Sequence, residues 1–228
     1  MKTLIEHLDE LRHACIIICI YLLFFFVIGI IISPTIIRKI INDLASSNIT
    51  LVSLSPIEFI ATQLRVGFLF SLVLVSPIII YQFIKFIKPG LKNPELKVIK
   101  YTLPSFILFF ILGILFGYFI FLKVSLLFLA KLSSFANVQN MWSIGNFISY
   151  IVWTCLALGL VFELPLVIFL LYRLGVLNRA ILKKFRPHFY VLIFVIAAII
   201  TPTPDAFNQT VVAIPMIILF EISYWVIR

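Results

Sequence analysis

Acidic side chains are scarce in this sequence, nine Asp and Glu in 228 residues against eighteen Lys and Arg. Charged residues together make up only 12%, about half of what a soluble domain carries, which excludes an ordinary water-soluble globule. Cysteine is equally sparse. Cys15, Cys19 and Cys155 all fall within apolar runs, with no Cys-x-x-Cys pair and no His in a ligand pattern. Packing is therefore their expected role, and neither a disulfide framework nor a metal site is expected. The chain has no Gly-rich phosphate loop, no His-Glu-x-x-His and no Gly-x-Ser-x-Gly. Nucleotide hydrolysis and proteolysis have no motif to rest on, and no enzyme activity, catalytic residue or cofactor is expected. His7, His13 and His188 stand at the borders of apolar runs, where packing at the interface is the expected role. No repeat relates the two halves, which argues against an inverted-repeat transporter.

What is present is apolar: 63% of the residues are hydrophobic. The pattern predicts an all-α membrane protein with six transmembrane helices in a single domain, 1–228. Residues 1–13 read as a short amphipathic helix on the membrane surface, with Thr3 and Glu6 at capping-box spacing and Leu4, Leu8 and Leu11 on one face. A first span over 14–32 should stop at Ser33-Pro34, and acidic residues ahead of it argue against a cleavable signal peptide. A short amphipathic helix is expected after Pro34, then an extended Leu51-Val52-Ser53. Ser55-Pro56-Ile57-Glu58 is a helix start, with Ser as cap and Glu at the third position, so the second span runs over 56–83 with a bend at Pro77. Arg65, about 14 Å along that helix, can snorkel to the interface. Asn93-Pro94-Glu95 starts another helix, with a third span over 101–121 and a partly helical loop over 123–140. Ser143 can cap a fourth span over 144–171. A short helix capped by Asn178 precedes Pro187. The fifth apolar run, 188–200, is only thirteen residues, short for a hydrocarbon core of about 30 Å. Thr201-Pro202-Thr203-Pro204-Asp205 then turns the chain into the sixth span.

Thirteen of the eighteen basic residues fall on the side that holds both termini; the other five are Arg38, Lys39, Arg65, Lys123 and Lys131. The positive-inside rule places both termini in the cytoplasm. Basic clusters between apolar runs are orientation signals, so the net charge of +9 does not imply nucleic acid.

Two features could carry function. Glu163 lies in the middle of Gly159–Leu171, beside Pro165, which cannot donate to the Val161 carbonyl. A charge at the bilayer centre costs about 2.5–3.5 kcal/mol on insertion scales and normally faces protein or a wet cavity. Glu163 is therefore either a polar site for a substrate or partner helix, or a protonated acid bonded to a neighbouring helix. The second feature is a pair of acids on the basic face. Glu10 precedes the first span and Glu95 lies between the second and third, and converging carboxylates would suit a pair of guanidinium groups. Helix-terminal capping is the plainer reading of each alone.

His7-Leu8-Asp9-Glu10-Leu11-Arg12, Ser55-Pro56-Ile57-Glu58-Phe59, Phe86-Ile87-Lys88-Pro89-Gly90-Leu91, Phe162-Glu163-Leu164-Pro165 and Thr201-Pro202-Thr203-Pro204-Asp205 follow one another in order. In these motifs, which span essentially the whole chain, the sequence resembles the TatC family, the receptor subunit of the twin-arginine translocase. The resemblance implies a concave, glove-shaped six-helix bundle that binds twin-arginine signal peptides. With TatA/TatB-type single-span partners it would mediate export of folded proteins driven by the proton-motive force. It also implies self-association among membrane lipids, in a prokaryotic plasma membrane or an organellar inner membrane. By position, Glu10, Arg12, Phe86 and Glu95 would form the signal-peptide site and Glu163 the intramembrane polar site. Thr201, Thr203 and Gln209 would contact a partner helix. The chain departs from the family in having His13-Ala14 after Arg12 and Leu-Lys after Glu95. The competing reading is a proton- or ion-coupled small-solute transporter using Glu163.

Overall fold

The computed structural model describes residues 4–45, 50–87, 93–135, 141–173, 175, 177–201 and 205–226. The chain is a helical bundle: α1 Leu4–Leu44, α2 Pro56–Ile87, α3 Asn93–Phe116, α4 Leu122–Phe135, α5 Ile144–Phe162, α6 Leu164–Arg173, α7 Arg179–Ile200 and α8 Ala206–Val226. A π-helical turn, Gly117–Phe121, joins α3 to α4. Two short parallel strands, β1 Thr50–Val52 and β2 Met141–Ser143, pair Thr50 with Met141 and Val52 with Ser143. Among the described residues, five helical stretches are long and apolar enough to cross a membrane. The short fifth crossing expected from the sequence falls on α7, whose first half carries Lys183, Lys184 and Arg186.

Three helix ends expected from the sequence do not exist. The surface helix, the first span and the segment after Pro34 are one 41-residue helix. Proline in a helix removes one bond and costs about 3 kcal/mol, but here the orphaned acceptor is retaken. Ser33 Oγ donates to the Ile30 carbonyl at 2.8 Å, the group Pro34 cannot reach. Ser76 does the same for Val73 beside Pro77, also at 2.8 Å, so α2 too continues through its proline. The stretch after Pro34 is amphipathic as expected, burying Ile37, Ile40 and Leu44.

The second difference is one of extent: the partly helical loop expected over 123–140 is helix as far as Phe135. The helix runs on through the π turn into α4, because Leu122, Ser125, Leu126 and Ala130 recur at helical spacing and are buried. The third is at Pro187, which stays inside α7 rather than following a separate short helix. Lys183, Lys184 and Phe185 around it are exposed, so water can satisfy the freed carbonyl. Asn178 does precede that helix, its carbonyl accepting from Leu182 N–H at 3.1 Å.

The core lies around α5, which packs chiefly on α3 and α2, with Phe121, Leu126, Ile148, Ile151 and Leu158 essentially inaccessible. Two close crossings position everything else. Gly29 on α1 abuts Gly67 on α2, where a Cβ would come 2.7 Å from the Gly67 carbonyl. Gly113 on α3 abuts α5, where a Cβ would come 2.5 Å from the Leu158 carbonyl. Packing is the role of Cys155, which is buried, but Cys15 and Cys19 are exposed. They lie on the long apolar face of α1 that includes Ile16, Ile20 and Leu23, whose neighbour in a bilayer is lipid.

At the far end of the hairpin formed by α7 and α8, Arg186 and Glu221 form a two-pronged ion pair. Arg186 Nε donates to Glu221 Oε1 at 2.9 Å and Nη2 to Oε2, and Tyr190 Oη donates to Oε1 at 2.5 Å. The guanidinium also lies over the Tyr224 ring, 5.1 Å from its centroid.

Candidate functional site

Three polar regions are built into this bundle. The first is a cleft of about 290 Å³ between the N-terminal turns of α1 and the last turns of α2. Asp9, Glu10, His13 and Ile17 line it from α1, and Gln82, Lys85 and Phe86 from α2. Of the residues expected at a signal-peptide site, Glu10 and Phe86 are brought together here. Arg12 is not: it faces outward and pairs with Asp9 at 3.3 Å, with both side chains about two-thirds exposed. Such exposed pairs contribute about 0–1 kcal/mol. Glu95 is the third residue of α3, and its side chain lies outside the described residues. Only five residues lie between Ile87, the end of α2, and Asn93, and six residue steps reach at most about 21 Å, so α3 starts near the same end of the bundle. Gln82 and Lys85 were not singled out from the sequence. The available signal was spacing, since Gln82 lies one turn before Phe86 on the same helical face.

The second region surrounds Glu163. The fourth span is not one helix: α5 ends at Phe162, Glu163 forms the turn, and Pro165 is buried in the first turn of α6. The Glu163 carbonyl accepts from Leu166 and Val167 N–H, both at 3.0 Å, which starts α6 afresh. Proline suits such a first turn because its missing N–H would be unpaired there anyway. Alongside, Phe110 of α3 packs on Gly159, and the rings of Phe116 and Phe162 lie 5.4 Å apart. Both carboxylate oxygens of Glu163 are buried, and among the described residues no side chain hydrogen-bonds them. The backbone of Phe110 on the neighbouring α3 is the group of the described residues that lies beside this carboxylate, so both readings left open by the sequence stand.

The third region is at the opposite end from the Glu10 cleft. Glu58, in the first turn of α2, accepts from Leu54 N–H at 2.6 Å and from Gly145 N–H at 2.7 Å, and also from Ser143 Oγ. Ser143 caps α5 as its sequence position indicated, accepting from Asn146 N–H at 3.3 Å. Arg65 reaches the same turn, donating to Ser149 Oγ at 2.5 Å and to the Gly145 carbonyl at 3.3 Å. One carboxylate thus ties the start of α2 to the start of α5. Sequence reading identified Glu58 only as a first-turn acid, because partners 85 and 87 residues away leave no local signal.

The residues expected to meet a partner helix lie on the α7–α8 hairpin. Thr201 is buried and its hydroxyl donates to the Ala197 carbonyl at 2.9 Å. Gln209 is half-buried and its amide donates to the Phe194 carbonyl at 2.9 Å, bridging the two helices. Thr203 lies outside the described residues. No group of His, Cys, Asp and Glu among the described residues could hold a metal ion.

Comparison with known proteins gives a consistent answer. The family model for the Sec-independent protein translocase protein (TatC) matches residues 6–215. The chain is 34% identical to the TatC protein of Carboxydothermus hydrogenoformans, covering 99% of this chain and 93% of that one. It is 35% identical to TatC of Aquifex aeolicus, covering 96% and 92%, and 31% identical to TatCy of Bacillus subtilis, covering 97% and 87%. The fold superposes on a crystal structure of the twin-arginine translocase receptor TatC in DDM with a TM-score of 0.87 at 34% identity. That match covers 97% of this chain and 99% of the other.

Proposed function

Because the chain belongs to the TatC family of Sec-independent protein translocase proteins, we propose that it acts as the receptor that binds twin-arginine signal peptides. It is an integral, multi-pass membrane subunit of a translocase. Transport driven by the proton-motive force, with TatA/TatB-type partners and without a catalytic step, completes this reading. Both termini then face the cytoplasm, where the Lys and Arg excess lies.

The observation that carries the reading is the α1–α2 cleft. Glu10 and Phe86 share one wall-and-floor arrangement with Gln82 and Asp9 at the end of the bundle that holds the N-terminus. Two signal-peptide guanidinium groups need carboxylates and amide oxygens in a fixed geometry. The apolar segment that follows them needs an aromatic and aliphatic wall. Glu10, Asp9 and Gln82 provide the first, Phe86 and Ile17 the second. Glu95, in the first turn of α3, is a further carboxylate of this site. Arg12 acts through its pair with Asp9, by orienting that carboxylate at the cleft edge. Thr201, Thr203 and Gln209 form the polar edge for a partner helix, and Glu163 is the acid that a polar residue of that partner reaches.

The test is affinity of an Arg-Arg signal peptide and its Lys-Lys counterpart for the protein in nanodiscs. Wild type should prefer Arg-Arg. Glu10→Gln and Glu95→Gln should each remove that preference by weakening Arg-Arg binding about tenfold or more, the loss of one charge-assisted hydrogen bond of about 1.5–3 kcal/mol. Equal binding of the two peptides by wild type would overturn the reading. The solute-transporter alternative requires a relay of ionisable groups, but Glu221 is bound to Arg186 and Glu58 to the start of α5.

A further inference from the structure

A second cleft, of about 380 Å³, opens at the end of the bundle opposite the Glu10 cleft, between α1, α2, α3 and α5. Its walls are apolar, with Ile40, Val66, Val73, Ile114, Val152 and Cys155 among them, and its edge includes the exposed Leu115 and Phe119. Polar groups occur only at the rim: Lys39, Asp43 and Tyr118. Tyr118 Oη donates to Asp43 Oδ2 at 2.9 Å, so the carboxylate of the rim is already engaged. Lys39 is exposed and makes no ion pair or hydrogen bond among the described residues.

A space of this size falls within the range of small-ligand sites, and an apolar cavity does not hold water well. In a bilayer the filler at hand is an acyl chain. The dimensions also choose between a chain and a peptide. A helix is about 10–12 Å across, so about 380 Å³ would take less than one turn of it. An extended peptide would leave its backbone groups unpaired against these walls. An apolar slot with an unengaged ammonium at its mouth is complementary to an amphiphile with one anionic head.

We propose that this cleft binds an anionic phospholipid, one acyl chain lying in the slot and the phosphate resting on Lys39 Nζ. The site is separate from the proposed signal-peptide cleft, which lies at the other end of α1 and α2. Holding a lipid there fills the gap between the amphipathic end of α1 and the α3–α5 pair, so the lipid serves as part of the packing on that side.

The test is native mass spectrometry of the detergent-purified protein offered phosphatidylglycerol and phosphatidylcholine of the same chain length. Wild type should retain one phosphatidylglycerol in preference to phosphatidylcholine by about fivefold, the equivalent of about 1 kcal/mol per basic residue at an anionic surface. Lys39→Gln should bring the two lipids level, whereas Arg38→Gln, which removes the same charge from the neighbouring position outside the cleft, should leave the preference intact. Val73→Phe, which fills the slot, should lower retention of both. A Lys39→Gln protein that keeps the preference overturns the proposal, and so does an Arg38→Gln protein that loses it. Displacement of the lipid by a twin-arginine peptide in wild type would assign the slot to peptide instead. Lys39 is a surface residue, so the decisive variant does not depend on how well Val73→Phe folds.

Discussion

Glu58 and Glu163 are both carboxylates at helix starts in a membrane bundle, and their surroundings are opposite. Glu58 accepts from two backbone N–H groups and a serine hydroxyl, drawn from two places far apart in the chain, Leu54 and Ser143–Gly145. Glu163 has two buried oxygens and, among the described residues, no side-chain partner. Removing a buried polar group from water without compensation is costly, so an acid kept in that state contributes nothing to the fold by being there. The contrast separates two uses of an acid. The Glu58 clasp ties Leu54, the end of β2 and the starts of α2 and α5 together, while the Glu163 turn is left with capacity to spare. An unpaired intramembrane acid is where a polar group from outside the chain would bind.

The comparison breaks most decisively at the crossing that holds the Glu163 turn in place. Gly113→Leu should force α3 off α5, since even a Cβ would come 2.5 Å from a backbone carbonyl that cannot move aside. A loss of about 3 kcal/mol or more is expected, at the top of the overpacking range, read as a large fall in Tm in detergent. Glu58→Gln comes next. Its amide NH2 would face a donor, so the tie between α2 and α5 weakens and Tm should fall by a few degrees, with Ser149→Ala, which removes one of the acceptors of Arg65, having less effect. The smallest effect on stability is expected for Glu163→Gln. With no side-chain hydrogen bond to lose, Tm should stay the same or rise, while export of a twin-arginine reporter in cells should drop. If Glu163→Gln destabilised the protein as much as Glu58→Gln does, the distinction between the two acids would be wrong.

Much of this was legible in the sequence because it depends on neighbours within a few residues. Ser143 caps α5 and Pro56 opens α2 in the positions their local pattern indicates. Glu10 and Phe86 were nameable through the motifs in which they stand, and the cleft they share adds Gln82, whose role is set by which face of α2 meets α1. The helix ends were less legible. Pro34 was read as a stop, but the serine before it takes up the freed carbonyl and α1 runs through, as α2 does past Pro77, where Ser76 makes the same bond. A serine ahead of a proline is compatible with either outcome until the packing around it is known.

By itself the sequence determined that this chain is a helical membrane protein, about where its spans lie, and which residues cap them. Hydropathy, charge bias and capping act over a single helix turn or a single span, and need no knowledge of the partner helices. Only the tertiary structure decided that Glu58 closes on Gly145, that Gly113 lets α3 reach α5, and that the Glu163 carboxylate is buried beside Phe110 of α3. Those outcomes depend on groups brought together from tens of residues apart, where a missing methyl group or a shared carboxylate sets how closely two helices approach.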